Sequence, residues 1–220
     1  MTKVVTKSRS SQNKAGDKAM LKRAPARAKI TEIRWHARGG QGAMLAARTL
    51  ARIAIEQGKY AQGMPEFGPE RMGAPMRAYN RISADNFSLY CAVVSPDVVI
   101  VLDASLMDAV NVTEGLNKGG IIIVNTTQPS EEIRAKLKIK DAKVSLYTLD
   151  ATGISVATLG RPMPNTPILG AIVKTTNLIT LDGLLNDVRH TFGEKFSPKV
   201  VEGNINAIKR GYDEVKLGEI

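Results

Sequence analysis

The stretch Trp35-His36-Ala37-Arg38-Gly39-Gly40-Gln41-Gly42-Ala43 joins three glycines and a cation to a run of helix-forming residues. Glycine tolerates a sharp turn, and such a turn leaves backbone amides pointing outward at the start of the next helix. A helix start carries roughly half a positive charge and binds phosphates or carboxylates. Arg38 can add a charge-assisted hydrogen bond to the same anion. The candidate anion-binding residues are therefore Arg38, Gly39, Gly40, Gln41 and Gly42. The spacing is not a dinucleotide fingerprint. Leu45 stands in place of the third glycine, and no acid closes the second strand to hold a ribose hydroxyl, Glu66 coming several residues late. It is not a P-loop either, since no Gly-Lys-Ser/Thr follows. On the residues alone, a tight turn that merely packs a helix on a strand stands equally beside an anion site.

Two further segments could meet a ligand. Phe67-Gly68-Pro69-Glu70-Arg71-Met72-Gly73-Ala74-Pro75-Met76-Arg77 lies in a loop whose prolines restrict its shape, which suits either a contact surface carrying Arg71 or simple bracing. Arg161-Pro162-Met163-Pro164-Asn165-Thr166-Pro167 ends in a helix start, with Asn165 expected as its N-cap; capping and ligand contact both fit. Asp103 ends a buried strand, at the sheet edge where ligands gather in doubly wound folds, and an aspartate there also caps following helices. His36 has no evident nucleophile partner and is expected as a core or turn-stabilising residue. Cys91, the only cysteine, sits in the apolar run Tyr90-Cys91-Ala92-Val93-Val94 and is expected as a buried small hydrophobe.

The elements that must position these residues read as an α/β domain. Ile30–His36 alternates as a strand, Ala43–Gln57 is a helix closed by Gly58, and Lys59–Gly63 is a short strand. Met76–Ser83 and Phe87–Val94 are expected to form an antiparallel hairpin turning at Ala84-Asp85-Asn86. Val98–Leu102, Ile121–Val124 and Val144–Leu149 are apolar without alternation, the mark of strands buried on both faces of a parallel sheet. Helices are expected between them at Ser105–Lys118 and Glu131–Leu137. Helical spacing returns at Asn165–Thr176 and Leu181–Phe192, and Ser197-Pro198 opens a final helix. The expectation is a doubly wound, mostly parallel sheet with an antiparallel hairpin and helices on both faces.

Composition bounds the function. Of 31 basic and 21 acidic residues, nine basic residues and one acid fall in residues 1–29, so the net charge of +10 is mostly that segment's. Residues 30–220 are nearly neutral, which argues against a nucleic-acid-binding face. Residues 1–29 are expected to be a flexible or partner-bound basic tail, and 30–220 one α/β domain. No apolar run approaches a membrane span and no secretory signal is evident, so a cytoplasmic location is expected. One cysteine cannot furnish the roughly four ligands of an iron–sulfur cluster, and His36 and His190 sit in no metal-ligand spacing.

Four stretches, in order, resemble the gamma subunits of pyruvate:ferredoxin oxidoreductases (pyruvate synthases) of the 2-oxoacid:acceptor oxidoreductase family: Glu32–Ala43, Glu66–Ser83, Pro96–Asp103 and Pro164–Thr175. The similarity runs from about Ile30 to Lys216; the basic tail departs from it. The resemblance implies a subunit, inactive alone, of an enzyme that decarboxylates a 2-oxoacid on thiamine diphosphate held with Mg. That enzyme passes electrons through [4Fe-4S] clusters to ferredoxin and releases an acyl-CoA. It implies alpha, beta and delta partner subunits that hold those groups, with no cofactor held by this chain alone. It also places this chain on the coenzyme A side, which assigns Arg38, Gly39, Gly40, Gln41, Gly42, Arg71 and Asn165 to coenzyme A. Gly73–Tyr79 looks more like the pyruvate type than the 2-oxoglutarate type. Alternatives are a scaffold subunit without ligand contacts, a gamma subunit for 2-oxoisovalerate or 2-oxoglutarate, and a free-standing nucleotide-binding reductase.

Overall fold

The computed structural model describes residues 29–66 and 72–218. Its seven-stranded sheet has the order β2-β3-β1-β4-β5-β6-β7. The strands are β1 (Thr31–Arg38), β2 (Tyr60–Pro65), β3 (Pro75–Ser83), β4 (Val98–Val101), β5 (Ile121–Asn125), β6 (Ser145–Leu149) and β7 (Lys216–Leu217). β1, β4, β5 and β6 run parallel, while β2, β3 and β7 pair antiparallel with their neighbours. The α/β, mostly parallel arrangement expected from the apolar runs is therefore present.

Alternation sends the two faces of β1 to different surroundings. Ile33, Trp35 and Ala37 face α1 (Ala43–Glu56) in the larger core, which α4 (Ala151–Leu159), α5 (Asn165–Thr176), α6 (Leu181–Gly193) and α7 (Pro198–Glu214) complete. The Trp35 indole donates to Asn80 Oδ1 at 2.9 Å, and Asn80 Nδ2 in turn donates to the Ala47 and Gln62 carbonyls, stitching α1, β2, β3 and β1 together. A smaller core on the opposite face lies over β4–β6 and takes Leu106 from α2 (Leu106–Ala109) and Ile133 from α3 (Ser130–Lys136).

Helices thus cover both faces of β4–β6, but over β1 and β3 the second face carries charge instead. Arg34 and His36 on β1 stand opposite Tyr79 and Arg77 on β3, and Glu32 stands opposite Arg81. Arg81, 1% exposed, donates to Glu32 at 2.7 Å and reaches the Ala92 carbonyl and Cys91. Arg34, 4% exposed, donates to the Val112 and Glu114 carbonyls. Chain segments with inward-turned carbonyls cover this polar face where a helix would bring side chains.

Three expectations are corrected here. Phe87–Val94 is not a strand, because β3 already has β1 on one edge and β2 on the other, and no free edge remains to pair with it. β3 pairs antiparallel with β1 and with β2 instead. The helix expected over Ser105–Lys118 stops at Ala109, since Arg34 draws the carbonyls of Val112 and Glu114 inward and away from helical bonding. Cys91 is exposed rather than buried, lying on the segment that does not form a strand. The helix α4 and the short edge strand β7 lie outside the elements expected from sequence.

The start of α5 is held from behind. A Cβ on Gly170 would clash with the Ile208 carbonyl oxygen, so α5 and α7 touch backbone to backbone. That close approach fixes where the first residue of α5, Asn165, meets the rest of the domain.

Candidate functional site

The site forms where the chain reverses its direction of travel across the sheet. After β1 the chain goes to β2 and β3 on one side, and β4 then takes up the other side of β1. Ligands in open α/β sheets bind in the crevice beyond the carboxyl ends of the strands at such a point. Here that crevice receives the glycine turn after β1, Asp103 and Ser105 after β4, and the start of α5.

The turn is stapled by its own side chain and by the loop before β3. Gln41 Oε1 accepts from the Arg38 amide at 2.8 Å, and the Gln41 amide donates to the Arg38 carbonyl at 3.1 Å. The Gly39 amide donates to Ala74 and the Gly39 carbonyl accepts from Gly73, at 2.9 and 3.1 Å. Gly40 and Gly42 have φ values of 97° and 80°, the left-handed region that favours glycine. The turn therefore ends in a fixed position, and α1 begins with Gly42 as its N-cap. No side chain caps α1 and no acid lies in its first turn, so its positive end is open.

Asp103 organises the opposite wall. Its carboxylate accepts from Gln41 Nε2 at 2.9 Å and from the Ser105 hydroxyl and amide at 2.6 and 3.0 Å. Arg38 Nε lies 3.3 Å from the same carboxylate, with the two side chains 32% and 22% exposed. Burial works to raise the Asp103 carboxyl, but the hydrogen bonds from Ser105 and Gln41 and the Arg38 cation outweigh it and hold it below the ordinary value. The Arg38 guanidinium also donates to Ser105 Oγ at 2.8 Å and to the Gly73 carbonyl at 3.1 Å. In this arrangement Arg38 braces the turn against β4 and the Gly73 loop.

Asn165 approaches from the other side. It is 3% exposed, its Oδ1 has no hydrogen-bond partner, and a Cβ on Gly42 would meet its amide group at 2.7 Å. The N-cap of α5 is Pro164 rather than Asn165, and no side chain caps α5; that corrects the capping expectation. Two uncapped helix starts thus meet at Gly42 and Asn165, with the unpartnered Oδ1 of Asn165 between them.

Of the candidates from sequence, Arg38, Gly39, Gly40, Gln41, Gly42 and Asn165 come together here, while Arg71 lies outside the described residues. Ser105 was missed, and Asp103 was noted only for its strand-end position. The acid two residues before Ser105, at the end of an apolar strand, was the available signal. Two open grooves flank α1 elsewhere, of about 440 Å³ against β2 and about 370 Å³ against α6, and neither is lined by Arg38 or Asn165.

His36 belongs to the bracing. It is buried, accepts from Arg34 Nε at 3.1 Å, and is pushed down to about 3 by burial and by the Arg34 and Arg77 cations. It is neutral at physiological pH and holds Arg34 in place.

Two helix starts without side-chain caps thus lie at the switch point of a mostly parallel sheet, which makes this a doubly wound α/β domain of the open-sheet class. Residues 32–214 match the family described as pyruvate ferredoxin/flavodoxin oxidoreductase. The pyruvate synthase subunit PorC of Thermotoga maritima is 43% identical over 195 residues, 89% of this chain and 100% of that protein. The crystal structure of the pyruvate oxidoreductase subunit PORC from the same organism superposes with a TM-score of 0.76 at 42% identity, covering 87% of this chain and 99% of the other. The Thermococcus kodakarensis pyruvate/ketoisovalerate oxidoreductases common subunit gamma is 45% identical over 87% of this chain and 100% of its own. A 2-oxoglutarate:ferredoxin oxidoreductase from Magnetococcus marinus, solved with 2-oxoglutarate, coenzyme A and succinyl-CoA bound, shares the fold alone. Its identity is 19% and its TM-score 0.68, over 84% of this chain and 31% of that one. The chain belongs to the pyruvate ferredoxin/flavodoxin oxidoreductase family and is a gamma-type subunit of a 2-oxoacid:ferredoxin oxidoreductase.

Proposed function

We propose that this subunit supplies the coenzyme A side of a pyruvate:ferredoxin oxidoreductase. The reaction converts pyruvate and coenzyme A to acetyl-CoA and CO2 while reducing ferredoxin, or runs in reverse. The observation that carries the reading is Asn165, whose buried Oδ1 has no hydrogen-bond partner, set against Gly42 where two uncapped helix starts meet. Coenzyme A carries a pyrophosphate and a further phosphate, and helix starts suit such groups. The amide can swap its donor and acceptor ends by rotation about χ2, which turns Nδ2 toward a phosphate oxygen. Gly39, Gly40, Gln41 and Gly42 form the floor of the cradle. Arg38 acts on it by bracing the turn, and Arg71 is assigned to the same ligand from the loop before β3.

The other groups of the reaction do not fit this chain. A cluster takes about four thiolates and the sequence holds one cysteine. Among the described residues no three His, Cys, Asp or Glu side chains gather as a metal site. Thiamine diphosphate, its Mg and the [4Fe-4S] clusters are assigned to alpha, beta and delta partner subunits, and ferredoxin meets the complex through them. The same division leaves the choice of 2-oxoacid to another subunit, in keeping with a relative named as common to pyruvate and ketoisovalerate oxidoreductases. Among the described residues no helix is long and apolar enough to cross a membrane, and we assign the complex to the cytoplasm.

A tagged copy of the chain, purified from its native host, tests the assignment. Brown, cluster-bearing partners and ferredoxin reduction that needs both pyruvate and coenzyme A are expected. A colourless, monodisperse single chain would overturn it.

A further inference from the structure

Met72 stands almost alone in solvent. Its side chain is 93% exposed on a turn directly before β3, and water is an unfavourable surrounding for a thioether and its flanking carbons. Exposure of this kind is ordinary on a loose loop, but this turn is not loose. The Gly73 amide and the Ala74 carbonyl bond to Gly39, and the Gly73 carbonyl accepts from Arg38 at 3.1 Å. Gly73 itself has a φ of 80° that holds the turn's shape. Met72 reaches over the glycine turn, so that a Cβ on Gly40 would lie 3.9 Å from Met72 Cγ. An apolar side chain on a hydrogen-bonded turn therefore projects at the rim of the anion cradle, beside the glycines that form its floor.

We propose that Met72 is a specificity residue that contacts the adenine ring of the bound nucleotide. The inference rests on the coenzyme A reading above and assigns one end of that ligand. The phosphates lie at the start of α1, and the reactive thiol must leave this chain to reach the thiamine on a partner subunit. The end of the ligand that stays on this chain is the adenosine end. A flat heteroaromatic ring covers an exposed methionine well, because the polarizable sulfur packs favourably against aromatic surfaces. The pantetheine arm, with two amides and a hydroxyl, offers no such surface over most of its length. Gly40 leaves the space under Met72 free, and its positive φ disfavours any side chain that would fill it.

The assembled complex, wild type and Met72→Ala, would be titrated calorimetrically with coenzyme A, ADP and 4′-phosphopantetheine. Losing the contact should weaken coenzyme A and ADP in parallel, by roughly tenfold, and leave phosphopantetheine unchanged. Weakening of coenzyme A and phosphopantetheine with ADP unchanged would place the pantetheine arm on Met72 and overturn the proposal. Equal affinities of the two complexes for all three ligands would also overturn it, leaving the coenzyme A reading intact. A wild-type complex that binds none of the three would bring down that reading and this inference together.

Discussion

Arg38 Nε lies 3.3 Å from Asp103 Oδ2, and this pair ties the end of β1 to the end of β4 across the switch point of the sheet. The contact turns the Arg38 guanidinium toward the protein itself, onto Asp103, Ser105 and the Gly73 carbonyl. Arg38, Asp103, Ser105 and Gln41 form one hydrogen-bonded unit whose product is a glycine turn with a single shape. Preformed shape lowers the ordering cost of binding, which is where such a unit acts.

Arg38→Ala removes the brace and leaves Asp103 without its cation. The KM for coenzyme A should rise roughly tenfold, the scale of one charge-assisted interaction. Pyruvate decarboxylation without coenzyme A should be mostly retained. Steady-state kinetics of the assembled enzyme with coenzyme A as the varied substrate check this, and an unchanged KM would remove Arg38 from the site.

Gly42→Ala should harm the site for two separable reasons. Its φ of 80° costs a residue with a Cβ about 1–2 kcal/mol, and that Cβ would press on the Asn165 amide. Adding Asn165→Ala relieves only the second. A thermal double-mutant cycle over the two positions should therefore show a positive coupling, with part of the Gly42→Ala loss persisting in the double variant.

Much of this arrangement was legible in the sequence. The apolar runs at β4, β5 and β6 carry no alternation because both of their faces are covered, and they read correctly as parallel core. The turn at Arg38–Gly42 announced itself through glycine and a following helix. What was not legible was set by distant neighbours. Phe87–Val94 has the composition of a strand, yet β3 had no edge left for it. Ser105–Lys118 has helical content, yet a buried Arg34 some eighty positions away claims two of its carbonyls. Asn165 has the chemistry of a cap, but Pro164 takes that place and leaves the amide free. No local pattern reports which of two polar roles a residue plays when the deciding partner is the start of another helix.

His36 should make stability depend on pH. Burial, with Arg34 and Arg77 beside it, pushes it down to about 3, below its ordinary value of 6.5. The folded state therefore refuses a proton that the unfolded chain takes up below about 6.5. The stabilisation is full above that pH and is lost as pH falls toward 3, at up to about 1.4 kcal/mol per pH unit. Melting temperatures between pH 7 and pH 4 should fall less steeply in His36→Asn, whose slope and not absolute stability is the readout. Equal slopes would show that His36 titrates normally.

Arg81→Ala should be severe without touching the site. The guanidinium is buried, and its loss strands Glu32 and the Ala92 carbonyl. Leaving a partly buried carboxylate and a carbonyl without their donor costs roughly 1–3 kcal/mol. Urea denaturation should show a lower midpoint, and coenzyme A affinity of the remaining folded protein should be unaltered.

In the proposed complex a coenzyme A phosphate meets the amide of Asn165 between two helix starts. Coenzyme A would be titrated against the assembled complex carrying Asn165→Asp, a change that keeps the side-chain shape and sets a carboxylate where the amide was. Binding weaker by roughly a hundredfold than in the wild type, with the complex intact, is the predicted result. An Asn165→Asp complex that binds coenzyme A as tightly as the wild type would mean that no coenzyme A phosphate lies against Asn165.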